Sequence, residues 1–305
     1  MKEVNLTDIY KFLLSKYRLI IFLTFCVAAI SSLVALNLKE IYQSDALVQI
    51  SESSLSTPSQ GQSSSGFGGL ASLAGIDIGS GGSIKSKTPA YVSAKITSRS
   101  FFSHLASFPG VIEGVAADKS FDFESGVMIY DDKKYNSITK EWLRKPSGFK
   151  KAKPSDLEAH RIFLQQLSIS VDKKTGFITL VFNHSSPFFA KEMLELILDE
   201  VNNLQKNEDL IQFEKEMKYL SDMQKTNKLV YLEQSLSLLV VDLVKNQMLA
   251  DVKDDYLIEY LDKPYMPESR TFPKRTFLVL ASTLISMFLI AILLVIHKFV
   301  YLRDK

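Results

Sequence analysis

The residue types that do chemistry are sparse and scattered in this chain. Histidine occurs four times, at His104, His160, His184 and His297, without the short spacings of metal-ligand pairs. The single cysteine, Cys26, lies inside an uncharged apolar run, where it can form no intramolecular disulfide and reads as a packing or lipid-facing residue. No phosphate-binding loop of the glycine-rich, lysine-ended type occurs. Gly66, Gly68 and Ala71 approach a dinucleotide fingerprint, but a serine run precedes them where a strand is required, so a linker is the better reading. The acidic pairs Glu208-Asp209 and Asp254-Asp255 read as solvated helix faces. No catalytic, cofactor or metal residues are expected, and the chain reads as a non-enzyme.

The elements around these residues explain that poverty. Leu19–Leu38 and Phe277–Ile296 are each twenty residues long and carry no charge. Twenty helical residues span about 30 Å, the hydrocarbon thickness of a bilayer. Only a helix or a closed barrel satisfies its backbone there, so each run is expected to be one transmembrane helix. The first run is longer than the apolar core of a cleaved signal peptide, which favours a retained anchor.

Lys11, Lys16 and Arg18 precede the first span and only Lys39 follows closely, so residues 1–18 are expected in the cytoplasm. Basic residues flank the second span on both sides. The first span therefore sets the orientation, with 39–276 outside and 297–305 as a cytoplasmic tail. Net charge is +2 before the first span, −2 across the loop and +2 after the second span. A nearly neutral loop has no electrostatic footprint for nucleic acid.

Within the loop, Ile41–Ile50 alternates as a strand with Tyr42, Ser44, Ala46, Val48 and Ile50 on one face. Residues 51–86 are Ser/Gly-rich and expected to be flexible, with an apolar island at Leu70–Ile78. Tyr91–Phe108 predicts a helix that buries Ile96, Phe101, Leu105 and Phe108. Ser120–Pro154 is polar and predicts a mixed loop. Leu167–Phe182 predicts a hairpin that turns at Asp172–Gly176. Ser185-Ser186-Pro187 predicts a helix start. From Phe188 to Lys263 there are 76 residues without Gly or Pro, a long helical region over 188–250.

Leu210, Phe213, Met217, Leu220, Tyr231 and Leu238 form its seam, interrupted in the middle by Gln224, Asn227 and Gln234. A polar centre suits a coiled-coil-like contact between copies or a helix partly exposed to solvent, and a single helix over 210–246 would reach about 55 Å. A strand at Tyr256–Asp262 follows. Pro264, Pro267 and Pro273 then stiffen the approach to the second span, as a structural hinge or a partner contact.

The order of these segments resembles the polysaccharide co-polymerases, most closely the O-antigen chain-length determinants (Wzz-like). The resemblance rests on Leu6-Thr7-Asp8-Ile9 before the first span, IYQSDAL directly after it, and PESRTFPKR before the second. SAKITSRSFFSHL, SPFFAKEMLELILDEVN and MLADVKDDYLIEYLDKPYMPE add to it. The second span departs from the family pattern by lacking glycine, with Ala281 and Ser282 its adjacent small residues. The resemblance implies an α+β protein: two transmembrane helices flanking a periplasmic domain, with a membrane-proximal α/β base and a long extended helix. It further implies a ring-shaped homo-oligomer in the bacterial inner membrane that acts on a membrane-embedded O-antigen polymerase. The growing polysaccharide and the lipid bilayer would be further contacts.

The expected function is non-enzymatic control of O-antigen modal length. The alternative within the family is a kinase-less co-polymerase for capsular or exopolysaccharide. With nine residues after the second span, neither a kinase nor the output domain of a two-pass receptor is expected. A membrane-anchored periplasmic enzyme is disfavoured by the missing catalytic constellation.

Overall fold

The computed structural model describes residues 15–51, 87–148, 150–226 and 230–303. The chain divides into two units: 1–42 with 269–305, and Gln43–Glu268.

The first unit holds helices α1 (Tyr17–Asn37) and α8 (Arg275–Arg303). Both are long and apolar enough to cross a membrane. Each extends a few residues beyond the uncharged run at its N-terminal side. Ala28, Ser31, Ser32 and Ala35 recur at three- and four-residue intervals, so small side chains line one face of α1. Small residues let membrane helices approach closely. Ala35 is fully covered, and the Ser282 hydroxyl of α8 donates to Ser31 Oγ at 2.7 Å. The close approach that glycines would allow on the second span is supplied here by the first.

In the second unit a four-stranded sheet has the order β6-β7-β1-β8. Strand β1 (Tyr42–Ile50) buries Tyr42, Ser44, Ala46 and Val48 with the period of two read from the sequence, while Ile50 is half-buried. It pairs antiparallel with β8 (Ile258–Asp262), Ile50 opposite Ile258 and Val48 opposite Tyr260. Strands β6 (Leu167–Val171) and β7 (Ile178–His184) form the expected hairpin, in register from Leu167 opposite Phe182 to Val171 opposite Ile178. Gly176 takes a φ of +76° at its turn, a left-handed conformation that glycine adopts without strain.

The helix expected over Tyr91–Phe108 is broken in two. Thr97 ends α2 (Pro89–Ile96), and Ser98 caps α3 (Arg99–Leu105) by accepting from the Phe101 N–H. A serine hydroxyl competes with the backbone for that N–H, which favours a new helix start over continuation. Ile96, Phe101 and Leu105 are buried as expected and Phe108 is half-buried. Helix α4 (Val111–Ala117) leads into a short hairpin, β2 (Asp118–Asp122) with β3 (Val127–Tyr130). A two-residue pairing follows, β4 (Tyr135–Asn136) with β5 (Glu141–Trp142). The stretch expected to be a mixed loop thus contains paired strands. Helix α5 (Asp156–Gln166) starts with a capping box between Ser155 and Glu158.

Helix α6 runs for 40 residues, Pro187–Thr226, and the Ser186 hydroxyl accepts from Phe189 N–H at its start. Helix α7 covers Val230–Val252. The two are antiparallel: the Lys206 ammonium donates to the carbonyls of Asp251 and Lys253, and Leu210 and Phe213 pack with Leu243, Ala250 and Tyr256. On one straight helix, residues 210 and 243 would stand about 50 Å apart. The single helix expected over 210–246 is therefore replaced by a helical pair. The reason is physical: α7 offers an apolar face of its own, and pairing it with α6 buries both. Residues 227–229 and most of the Ser/Gly-rich segment, 52–86, lie outside the described residues.

The main core joins the sheet to the helices. Val92, Ile96, Phe102 and Leu105 meet Phe163, Leu180, Phe182, Leu194, Ile197 and Leu198, all of them fully buried.

Candidate functional site

Three polar clusters stand out from this frame. The first superficially offers a serine, a histidine and an aspartate. His184 ends β7, and its Nε2 lies 3.2 Å from Asp118 Oδ2 and 3.1 Å from the Gly114 carbonyl. Its Nδ1 accepts the Ser186 N–H at 3.0 Å, so the neutral imidazole carries its proton on Nε2. The Ser185 hydroxyl donates to the other carboxylate oxygen of Asp118. A hydrolytic triad needs the serine to donate to histidine and histidine to aspartate. Here both donate to the same aspartate, and the His184 and Asp118 side chains are 0% and 3% exposed. The cluster satisfies buried polar groups where β7 turns into α6; it activates no nucleophile.

The second cluster ties α2 and the long helix to β8. Lys87, just before α2, is 5% exposed, and its ammonium reaches Asp209 Oδ2 at 2.5 Å, with the Tyr256 ring 4.4 Å away. Burial pushes the Lys87 ammonium down, against the hydrogen bond and charge of Asp209. Burial and Asp209 both push the Tyr256 phenol up. Gln205 joins the group, accepting from Tyr91 and Lys95 and donating to Asp209. A few residues along, buried Asn202 accepts the N–H groups of Leu257 and Ile258 at 2.9 Å each and donates to Ile258 O at 3.1 Å. One side chain of α6 thus does for the edge of β8 what a neighbouring strand would do.

The third cluster lies in the first unit, where the two apolar helices meet. Arg275, the first residue of α8, donates from Nε to the Ala35 carbonyl and from Nη2 toward Leu36, satisfying two carbonyls at the C-terminal end of α1. A cation is favoured there by the helix dipole. The same Nη2 reaches Glu40 Oε1 at 2.8 Å, and Arg270 Nη1 reaches that oxygen at 2.7 Å. The Tyr42 hydroxyl donates to Glu40 Oε2 at 2.9 Å. Burial pushes the Glu40 carboxyl up, but the Tyr42 and Arg270 hydrogen bonds and the two guanidinium charges outweigh it and hold the carboxyl below its ordinary range. Burial and Glu40 push the Tyr42 phenol up to about 12. The Ile41 N–H also bonds to the Phe272 carbonyl at 2.9 Å, so backbone and side chains fasten the same junction. Below it a groove of about 390 Å³ runs between the helices.

The seam and proline residues read from the sequence are placed as follows. Phe213 is buried and Leu210 half-buried against α7 of the same chain. Met217 and Leu220 are half-buried. Tyr231 lies in α7 and so does Leu238, but their side chains are outside the described residues. Pro264, Pro267 and Pro273 are all buried, which fits a structural role and leaves little of them for a partner.

Local pattern shows Tyr42 as a strand residue and Arg270 and Arg275 as charges flanking an apolar run, and it does not connect them with Glu40. An acid two residues after one uncharged run, with arginines two and seven residues before the other, was the available signal for the junction. Asn202 gave none. Among the described residues no group of three or more His, Cys, Asp or Glu could hold a metal.

Comparison with known proteins agrees with the resemblance read from the segments. Residues 2–99 match the family model for the chain length determinant protein, Wzz, a stretch that includes α1, the junction residue Glu40, β1 and α2. Among solved structures, a full-length bacterial polysaccharide co-polymerase superposes with a TM-score of 0.41 at 14% identity, covering 96% of this chain and 97% of that one. A fragment of WzzB, a polysaccharide co-polymerase from Salmonella Typhimurium, gives 0.29 at 14% identity, covering 77% of this chain and all of the other. No curated protein is significantly similar to the chain. The family match covers about a third of the chain, and there the chain is similar to the chain length determinant protein.

Proposed function

From the similarity of residues 2–99 to the chain length determinant protein, we propose a non-enzymatic, two-span regulator of O-antigen chain length in the bacterial inner membrane. That match carries the proposal. Both termini are placed in the cytoplasm and residues 39–276 in the periplasm, on the strength of Lys11, Lys16 and Arg18 before the first span. The protein acts as a homo-oligomer on the membrane-embedded O-antigen polymerase and biases when elongation stops.

A regulator of this kind changes the distribution of polymer lengths and leaves polymer synthesis intact. A deletion strain should still make O-antigen, with lengths falling off smoothly and no preferred cluster on a silver-stained lipopolysaccharide gel. An unchanged ladder would refute the proposal, and complete loss of O-antigen would point to an obligatory synthetic or export role. An unchanged ladder together with altered capsule or exopolysaccharide would assign the chain to a different polymer.

A further inference from the structure

The junction of α1 and α8 holds more positive charge than its single carboxylate neutralises. Arg270 and Arg275 both pair with one acid, Glu40, and the exposed Lys274 precedes Arg275 in the chain. The Nε and Nη2 groups of Arg275 are engaged, but among the described residues nothing accepts from its Nη1. Lys274 is exposed, and its carbonyl accepts the Leu278 N–H to begin α8. The N–H groups of the first turn of a helix have no intrahelical acceptor and favour an anion.

Beneath this cluster lies the groove between the helices, walled by Ser32, Ala35, Leu36, Thr276, Val279 and Leu280, with Arg275 at its head. Its volume of about 390 Å³ falls within the roughly 300–1,000 Å³ of small-molecule sites. Apolar walls ending at an unsatisfied guanidinium, on two helices able to cross a membrane, match a molecule with an apolar tail and an anionic head.

We propose that this groove is a binding site for one anionic phospholipid, its acyl chain between α1 and α8 and its phosphate at Arg275 and Lys274. Glu40 holds the Arg275 guanidinium in place and leaves Nη1 for the headgroup. A zwitterionic lipid of the same chain length fits the groove equally well but gains less from the cluster, so the site selects by charge. The inference rests on the two helices crossing a membrane and is independent of which polymer the protein regulates.

The test uses the full chain, purified and delipidated in mild detergent. It is titrated with phosphatidylglycerol or phosphatidylethanolamine carrying identical acyl chains, and bound lipid is read by native mass spectrometry. Phosphatidylglycerol should bind about thirtyfold more tightly, as expected for two basic residues at a headgroup. Val279→Trp, which fills the groove and leaves every charge in place, should weaken binding of both lipids. Lys274→Gln, which spares the Glu40 network, should cut the preference for phosphatidylglycerol severalfold and leave phosphatidylethanolamine unchanged. Equal affinity for the two lipids overturns the proposal, as does a preference that survives Val279→Trp. Because the readout is lipid bound to purified protein, its failure is separate from an unchanged polymer ladder.

Discussion

Asn202 gives the most direct test of how the long helix is tied to the sheet. It is 3% exposed in α6, and its amide makes three hydrogen bonds to the backbone of Leu257 and Ile258 at the edge of the sheet. Asn202→Leu keeps the branched outline of the side chain and removes its bonds to two N–H groups and one carbonyl beside a packed core. Each stranded buried group costs about 1–3 kcal/mol, and some water will reach an edge strand, so the total should be about 3–5 kcal/mol. That is a large part of the roughly 5–15 kcal/mol that holds a domain together. For a unit of the size of Gln43–Glu268, with each kcal/mol moving Tm by ~2–4 °C, the loss should be ~6–20 °C. The neighbouring Asn203 is exposed and, among the described residues, its side chain bonds to Glu200, so Asn203→Leu should cost under about 0.5 kcal/mol. Asn202→Asp keeps the acceptor for both N–H groups but sets a carboxylate against the Ile258 carbonyl, and should fall between the two. Differential scanning fluorimetry of the full chain in detergent measures all three. An Asn202→Leu protein that melts with the wild type would refute the claim that this side chain carries the edge of β8.

At Gly114 an added Cβ would lie 2.2 Å from the Phe189 ring, so Gly114→Ala should cost about 1–3 kcal/mol, and Phe189→Leu in the same chain should recover much of it; denaturant titration reads both. The folded Glu40 carboxyl is held below its ordinary 4.5, so its contribution is fully present above that pH and is lost as pH falls through the lower folded value. Because Glu40 is one-third exposed the effect is small, and melting curves of wild type and Glu40→Gln should converge in acid and separate near neutrality, with parallel curves refuting the assignment. With Cys26 replaced, Ser125→Cys on the exposed β2–β3 turn should react with a membrane-impermeant maleimide once the outer membrane is permeabilised, whereas Ser15→Cys should react only after lysis. Reversed labelling would overturn the proposed orientation. In mass photometry the detergent-purified chain should appear as an oligomer; a monomer at every concentration tested would remove assembly from the proposed function.

Local pattern alone determined much of this protein. The two apolar helices follow from uncharged runs long enough to satisfy their own backbones in lipid. Strand β1 follows from alternation, the β6–β7 hairpin from two β-rich runs around Gly176, and the start of α6 from Ser186 and Pro187. Each of these signals spans only a few residues or one repeating period, so the sequence displays it directly. Partnership was decided only by the tertiary structure. Leu210 and Phe213 read as a seam for a second copy because a helix face does not say which apolar surface will cover it; α7 covers it from within. The break at Ser98 was settled by a cap that outcompetes a continuing helix. Glu40 joins Arg270 and Arg275 across some 230 residues of sequence, and Asn202 reaches β8 across about fifty. A hydrogen bond depends on distance in space, and only the folded chain sets that distance for residues so far apart in sequence.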